Sequence, residues 1–392
     1  MSNPEQILRK LLDDIVKERG YKDPKIRVKP ISTGGANYTS VLFLITVSES
    51  DREDLQLFAK VGIVGEKMRS QMPVQFYDIE RFAYEDLLKQ YEKIQNDHNV
   101  PISQRLRIPK FYGCNPNRFE ETIVLENLAA QGFTTYDRLK SIDWDYAAKS
   151  VEALARFHAL SVAYNKENPE KYKTILETMK LQEDSFAELL ESSFDKQKET
   201  AINGTWENNK SRLKNYMDTK VNAKTLVKFY LSNPKNILCH GDFRPSNLMH
   251  RVKEDGTLEV IPVDYQTIRG GSPLVDLMSF IFTGSDEEFR RRHFWDLIDH
   301  YYRELCSALR SLELDSRDIY PEDEFGRDVK EFLPLGLLIG LFALPVITVD
   351  SEDAPSMSGE NDFHSFMNIK TNSIYSERLN GVVNDFVRWG II

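Results

Sequence analysis

The chain has 392 residues, of which 41% are hydrophobic and 29% charged, the balance of a soluble globular protein long enough for two lobes or two domains. Its 51 basic and 61 acidic side chains leave a net charge of −10 and a pI near 5.4, which excludes the basic stripes of a nucleic-acid surface and broad attachment to anionic lipid. The three cysteines, Cys114, Cys239 and Cys306, have no paired spacing, so neither a disulfide framework nor a zinc site is expected and a reducing compartment fits.

Residues 5–19 carry apolar positions at helical spacing with charges throughout and lack the apolar core of a secretory signal, so an amphipathic helix in a cytoplasmic protein is expected. "KIRVKPIS", "YTSVLFLITV" and "LQLFAKVGI" read as strands, the first two separated by the turn "TGGAN". "PVQFYDIERFAYEDLLKQYEKI" has helical periodicity starting at Pro73, and "RIPKFYGC" and "ETIVLENL" are two further strands. Residues 1–126 thus predict a five-stranded antiparallel sheet with a helix.

From residue 127 to 392 the pattern turns mainly helical. "WDYAAKSVEALARFHALSVAY" is one long helix, and 165–232 read as several shorter ones. From "SPLVDLMSFIF" onward helices continue, apart from "TVDSEDAPSMSGEND", which has the composition of a mobile acidic loop. The run Phe332 to Val349 is marginal in length for a membrane span and carries Pro334 and Pro345. It reads as a buried helix or pocket wall.

One stretch breaks the apolar pattern with chemistry. "ILCHGDFRPSNLMHRV", residues 237–252, places Asp242 and Asn247 between apolar flanks. "LEVIPVDYQTI" pairs naturally with "NLMHRV" through a hairpin at Asp255-Gly256. A hairpin brings its outer ends together, so Asp242, Asn247 and Asp264 can meet. Two carboxylates and an amide oxygen are hard donors that suit Mg²⁺.

Each of these is an ordinary turn residue when taken singly. Lys60, at the end of the third strand, would by itself be a surface lysine, and Glu80 a solvated helix carboxylate. A lysine on a strand paired with a glutamate on the following helix is, however, the device that kinases use to hold nucleotide phosphates. The adjacent glycines of "TGGAN" let backbone approach a phosphate. Glycine turn, strand lysine, helix glutamate, HGDxxxxN and a following aspartate stand in the order of protein-kinase-like phosphotransferases.

The segments "GGANYTS", "LFAKV", "IVLENLAAQGF", "EALARFHALSVAY", "HGDFRPSNLM" and "VDYQTIRGGSPLVDL" resemble the ecdysteroid kinase-like family of insects, a branch of the protein-kinase-like fold near the choline and aminoglycoside kinases. The likeness extends over almost the whole chain. It implies an α+β, two-lobed fold, with an N-lobe at 1–126 and a larger, mainly helical C-lobe at 127–392. It also implies ATP and Mg²⁺. Asp242 would orient or deprotonate an acceptor hydroxyl. Asn247 and Asp264 would hold the metal. Lys60 would contact the α/β-phosphates, kept in place by Glu80. Gly34, Gly35, Ala36 and Asn37 would form a flexible nucleotide cover, and Glu126, Asn127 and Leu128 the hinge that meets adenine. His240 would brace the loop, and Asp276 would accept its backbone N–H groups.

Two departures matter. Arg244 follows "HGDF" where many relatives carry an aromatic residue. Two roles are open to it: stabilising the transferring phosphoryl group, or forming a structural salt bridge. Tyr265-Gln266 follow Asp264 where protein kinases have Phe-Gly, so easy access to φ > 0 is lost, and only eleven residues separate Asp264 from Asp276. A permanently assembled site without an activation loop is expected. The resemblance implies a small-molecule kinase that phosphorylates a hydroxyl of an apolar acceptor, in its most concrete form an ecdysteroid 22-kinase. The alternatives are a kinase detoxifying other hydroxylated compounds and a non-catalytic steroid-binding protein on a kinase scaffold. The expected partner is a small molecule, with no nucleic acid, no membrane insertion and a monomeric state.

Overall fold

A computed structural model describes residues 3–32, 37–72 and 75–392. Gly34, Gly35 and Ala36 of the expected cover, and Pro73 at the expected helix start, lie outside the described residues.

The N-terminal part begins with α1 (Pro4–Glu18), whose Asn3 side chain accepts the Glu5 N–H as a cap. Strands β1 (Lys25–Ile31), β2 (Ser40–Ser48) and β3 (Leu55–Gly62) follow. Next come α2 (Glu66–Gln71), α3 (Phe76–Phe82), α4 (Leu88–Asp97), β4 (Phe111–Asn115) and β5 (Thr122–Glu126). The five strands form one antiparallel sheet in the order β1-β2-β3-β5-β4. Leu8, Leu12 and Ile15 of α1 pack on one face against Phe43, Ile45, Ala59 and Val61. Side chains alternate along a strand, so Lys60, between Ala59 and Val61, is directed to the opposite face, where α3 lies. The sequence pattern missed α2. The single helix expected from Pro73 is instead α3 and α4 joined by a π-helical turn at Ala83–Leu87. Tyr38 and Thr39, expected in a strand, precede β2.

The larger part contains β6 (Thr134–Thr135), α5 (Trp144–Glu167), α6 (Pro169–Thr178), α7 (Glu183–Gly204), α8 (Glu207–Lys220) and α9 (Ala223–Leu231). Strands β7 (Ile237–Cys239), β8 (Leu248–Val252), β9 (Leu258–Pro262) and β10 (Arg269–Gly271) follow. The chain closes with α10 (Pro273–Gly284), α11 (Glu287–Ser311), α12 (Ser316–Ile319), α13 (Glu322–Phe342), α14 (Leu344–Thr348), α15 (Phe363–Phe366) and α16 (Ser373–Arg388). Most of α5 is buried, as expected for a helix that is apolar nearly all round. The apolar run at 332–349 divides between α13 and α14 and is buried. Among the described residues no helix is long and apolar enough to cross a membrane.

The expected hairpin is present, with Leu248 opposite Pro262 and Val252 opposite Leu258. Its second strand stops sooner than the sequence suggested. Asp264 lies two residues beyond β9 at φ 67°, a left-handed conformation that aspartate tolerates better than most residues. That turn takes the chain out of the sheet, and β10 pairs with β7 instead. The acidic segment after α14 is also more than a solvated loop. The Gly65 N–H donates to the Met357 carbonyl at 2.9 Å, and Met357 is buried with Val64, Met68, Phe363 and Phe366.

Candidate active site

The chain between β7 and β8 is held open as a rigid loop. Gly241 sits at φ 85°, and a Cβ there would come within 2.1 Å of the Thr267 carbonyl oxygen, so no other residue fits. The buried Asp276 carboxylate, near the start of α10, accepts the His240 N–H at 2.7 Å and the Gly241 N–H at 2.9 Å, as anticipated. Burial raises its affinity for a proton, but the His158 hydrogen bond, nearby histidines and the Gly241 N–H overcome this and hold it below the usual carboxylate range. His158 of α5 lies 3.2 Å from Asp276 through Nε2 and 2.8 Å from the Tyr301 hydroxyl through Nδ1. His240 braces the loop, its Nε2 donating to the Val263 carbonyl at 3.0 Å. Burial keeps its imidazole below the ordinary range, so the neutral ring serves as a fixed donor.

Within this loop Asp242, Arg244 and Asn247 form one unit. Arg244 Nε lies 3.0 Å from the Asp242 carboxylate. The Asn247 amide nitrogen donates to the Asp242 carboxylate at 2.8 Å and to its carbonyl at 2.9 Å. Asp242 is therefore oriented from two sides. The Asn247 amide is oriented as well, because its nitrogen is committed and its oxygen is the atom left for a cation. Burial opposes the charge on Arg244, and Asp242 and then Asp264 more than compensate.

Opposite this loop, Lys60 Nζ lies 2.7 Å from Glu80 Oε1 and 2.5 Å from Asp264 Oδ1. The anticipated strand-to-helix pair is thus formed and extends to a second carboxylate, that of Asp264. Burial would pull the Lys60 ammonium down, but Asp264 and Glu80 hold it above the usual range. Burial pushes the Glu80 carboxyl up to about 7, with Lys60 opposing and Asp264 assisting. Asp264 stays below the usual range because Lys60 and Arg244 outweigh its burial. Tyr265 anchors this arrangement in the core, parallel to Phe157 and edge-on to Tyr84.

A cleft of about 600 Å³ joins these groups to the sheet. Leu42, Leu44 and Phe58 line it on the sheet side, and Met249 and Val263 on the other. Lys60, Asn247, Asp264, Glu126, Asn127 and Leu128 line it as well. An apolar cleft that also holds a lysine and hard oxygen donors has the chemistry of a nucleotide site. The anionic Asp264 carboxylate and the oriented Asn247 oxygen fit a hard divalent cation shared with phosphates. Asn37 lines the same cleft. Sequence reasoning did not single out Tyr38, Thr39 or His158, and it named Gln266 only for standing where protein kinases have glycine. A histidine in the apolar face of "ALARFHALSVAY" was the only available signal for His158.

The architecture is of the protein-kinase-like, two-lobed kind, and the family to which the chain belongs supports a small-molecule kinase. The chain belongs to the ecdysteroid kinase-like family, whose model matches residues 34–314. Comparison with curated proteins yields no match. Among solved structures, the GDP and kanamycin complex of APH(2")-IIIa aligns at 12% identity and TM-score 0.43, covering 85% of this chain and 92% of that one. The GDP complex of an aminoglycoside 2'-phosphotransferase-IIIa mutant aligns at 13% identity and TM-score 0.38, covering 85% and 98%.

Proposed function

We propose that the protein transfers the γ-phosphoryl group of ATP to a hydroxyl of an apolar small molecule, with an ecdysteroid and its 22-hydroxyl as the leading acceptor. Lys60 bridging Glu80 and Asp264, together with the Asp242–Arg244–Asn247 unit, is the observation that carries this reading. In the proposed reaction the acceptor oxygen forms a bond to the γ-phosphorus while the bond to the β,γ-bridging oxygen breaks. ADP leaves, and the hydroxyl proton passes to Asp242. Asp242 holds the hydroxyl in line. Lys60 meets the α/β-phosphates, and Glu80 fixes its ammonium in the field of Asp264. Asn247 and Asp264 would hold Mg²⁺, which when bound offsets phosphate charge. Glu126, Asn127 and Leu128 border the adenine slot, and Asn37 with Gly34, Gly35 and Ala36 would cover the phosphates. Arg244 lies in the field of both Asp242 and Asp264, a position from which it would stabilise charge on the transferring group. The proposed lobe boundary lies at 126/127, and the proposed setting is a cytoplasmic monomer.

Val64 and Met68 from the sheet-bearing part pack with Met357, Phe363 and Phe366 from the helical part, and Leu189 and Val346 pack against them. The test is turnover with Mg·ATP and 20-hydroxyecdysone, read by mass spectrometry. A gain of one phosphoryl group on the steroid is expected. Steroid binding without turnover would establish the non-catalytic binder instead, turnover only on other hydroxylated compounds would establish the detoxifying kinase, and phosphorylation only of peptides would overturn the small-molecule reading.

A further inference from the structure

Phe133, which lines the cleft, is held by a network of charges that the proposed reaction does not use. It is 3% exposed and packs with Leu128, Ile261, Met249 and Val263. Two guanidinium groups stand over its ring, that of Arg107 at 4.9 Å from the centroid and that of Arg251 at 4.4 Å. Glu259 joins the two cations, accepting from Arg107 Nη1 at 3.1 Å and from Arg251 Nε at 2.9 Å. Burial raises the affinity of the Glu259 carboxylate for a proton, but these two bonds keep it below the usual range. Gln131 ties the same arginines to the segment that borders the cleft. Its Oε1 accepts from Arg107 Nη2 at 2.7 Å, its carbonyl accepts from Arg251 Nη1 at 2.8 Å, and its Nε2 donates to Glu126 Oε2 at 2.7 Å. Glu126 Oε1 accepts the Lys110 N–H at 2.8 Å, so both oxygens of that carboxylate are engaged within the protein.

Arg251 stands opposite Glu259 near the turn of the β8–β9 hairpin, and Leu248 stands opposite Pro262 at its open end, next to Asn247 and close to Asp264. Side chains alternate along a strand, so Met249 and Arg251 share one face with Glu259 and Ile261, the face that meets Phe133. One hairpin therefore carries a clamp on Phe133 near its turn and the two proposed metal ligands at its open end. Arg107, Arg251 and Glu259 are not among the described residues that line the cleft. We infer that these three are positioning residues that fix Phe133 as a wall for the nucleotide base, and that they set the affinity for the base without touching it. The inference rests on the nucleotide reading proposed above and is independent of the acceptor.

The test measures the Kd of Mg·ADP by calorimetry for the wild-type full chain, Arg251→Met, Phe133→Leu and the double variant. Arg251→Met should raise the Kd about fivefold to tenfold, and Glu259→Gln, which keeps the shape of the side chain, about threefold. In the Phe133→Leu background Arg251→Met should cost nothing further, because the arginine acts through the ring. An unchanged Kd in Arg251→Met, or a loss that persists undiminished in the Phe133→Leu background, overturns the clamp. Mg·tripolyphosphate, which has no base, gives a second readout. It should compete with Mg·ADP at the same inhibition constant in wild type and Arg251→Met, whereas a loss matching that of Mg·ADP would mean general loosening of the site and overturns the inference. If Arg251→Met fails to fold, the cycle is run with Glu259→Gln. If Phe133→Leu fails to fold, the tripolyphosphate comparison decides. A wild type that binds no Mg·ADP overturns the nucleotide reading itself and the clamp with it, whereas equal binding by wild type and Arg251→Met overturns the clamp alone.

Discussion

Asp242 and Arg244 share one hydrogen-bonded unit but answer to different measurements. Replacing Asp242 with Asn keeps the shape of the loop and removes the proton acceptor. Turnover should fall about 10²–10⁴-fold, the usual worth of a general base, while Mg·ADP still binds. Arg244→Ala should lower kcat more than it raises the KM for ATP if the guanidinium acts on the transferring group. An unchanged kcat with a lower Tm assigns it to bracing Asp242. Glu80 gives the site a pH dependence. Its folded value of about 7 exceeds the unfolded carboxylate value near about 4.3. The native state therefore binds more protons than the unfolded chain between those values, and this group's contribution to stability falls as pH rises through that window. The Lys60–Glu80 ion pair is complete only above it. Mg·ADP affinity should accordingly rise from about pH 6 to about pH 8, and Glu80→Gln should flatten the profile. A titration by calorimetry at several pH values reads both. The identities of these residues were legible because each motif is short and local. The second partner of Lys60 was not, since Asp264 lies 204 positions away and no spacing rule reaches that far.

At the scale of elements, the catalytic loop depends on α10 and α5 more than on its own sequence. Asp276→Ala would strand the His240 and Gly241 N–H groups and one ring nitrogen of His158, and both histidines are buried. The expected cost is about 3–5 kcal/mol, measured by denaturant unfolding. A loss near zero would mean that water replaces the carboxylate. The role of Asp276 was foreseen from the chain, but its histidine support was not, because a buried histidine in an apolar helix has no signature of its own. The hairpin was legible from Asp255-Gly256 and alternating apolar positions. The point at which it ends was not. The left-handed turn falls on Asp264 rather than on a glycine, and β10 then finds β7, 30 residues earlier by register (Arg269 opposite Cys239). The π-helical turn between α3 and α4 escaped as well, since a single such turn inside a helix has no residue signature of its own.

For the molecule as a whole, one apolar core runs through both lobes. It extends from Ala83, Tyr84 and Leu87 through α5 to α10, α13 and α16. Saturating Mg·ADP at about 100 times its Kd should stabilise the fold by about 2.7 kcal/mol, and Asp264→Ala should remove most of that shift in a thermal melt while the protein remains folded. An equal shift in the variant would place the metal elsewhere. In this structure Lys60, Glu80 and Asp264 are joined, and Tyr265 is packed between Phe157 and Tyr84.

By itself the sequence determined the two-lobed α+β plan and the family, and it nominated the residues of the proposed reaction centre, because periodicity and short motifs are properties of neighbouring positions. Only the tertiary structure decided that Lys60 serves two carboxylates, that His158 stands behind Asp276, and that the acidic segment near residue 357 belongs to the wall between the lobes. Those outcomes depend on burial and on contacts between distant segments, and both come into being only when the chain has packed.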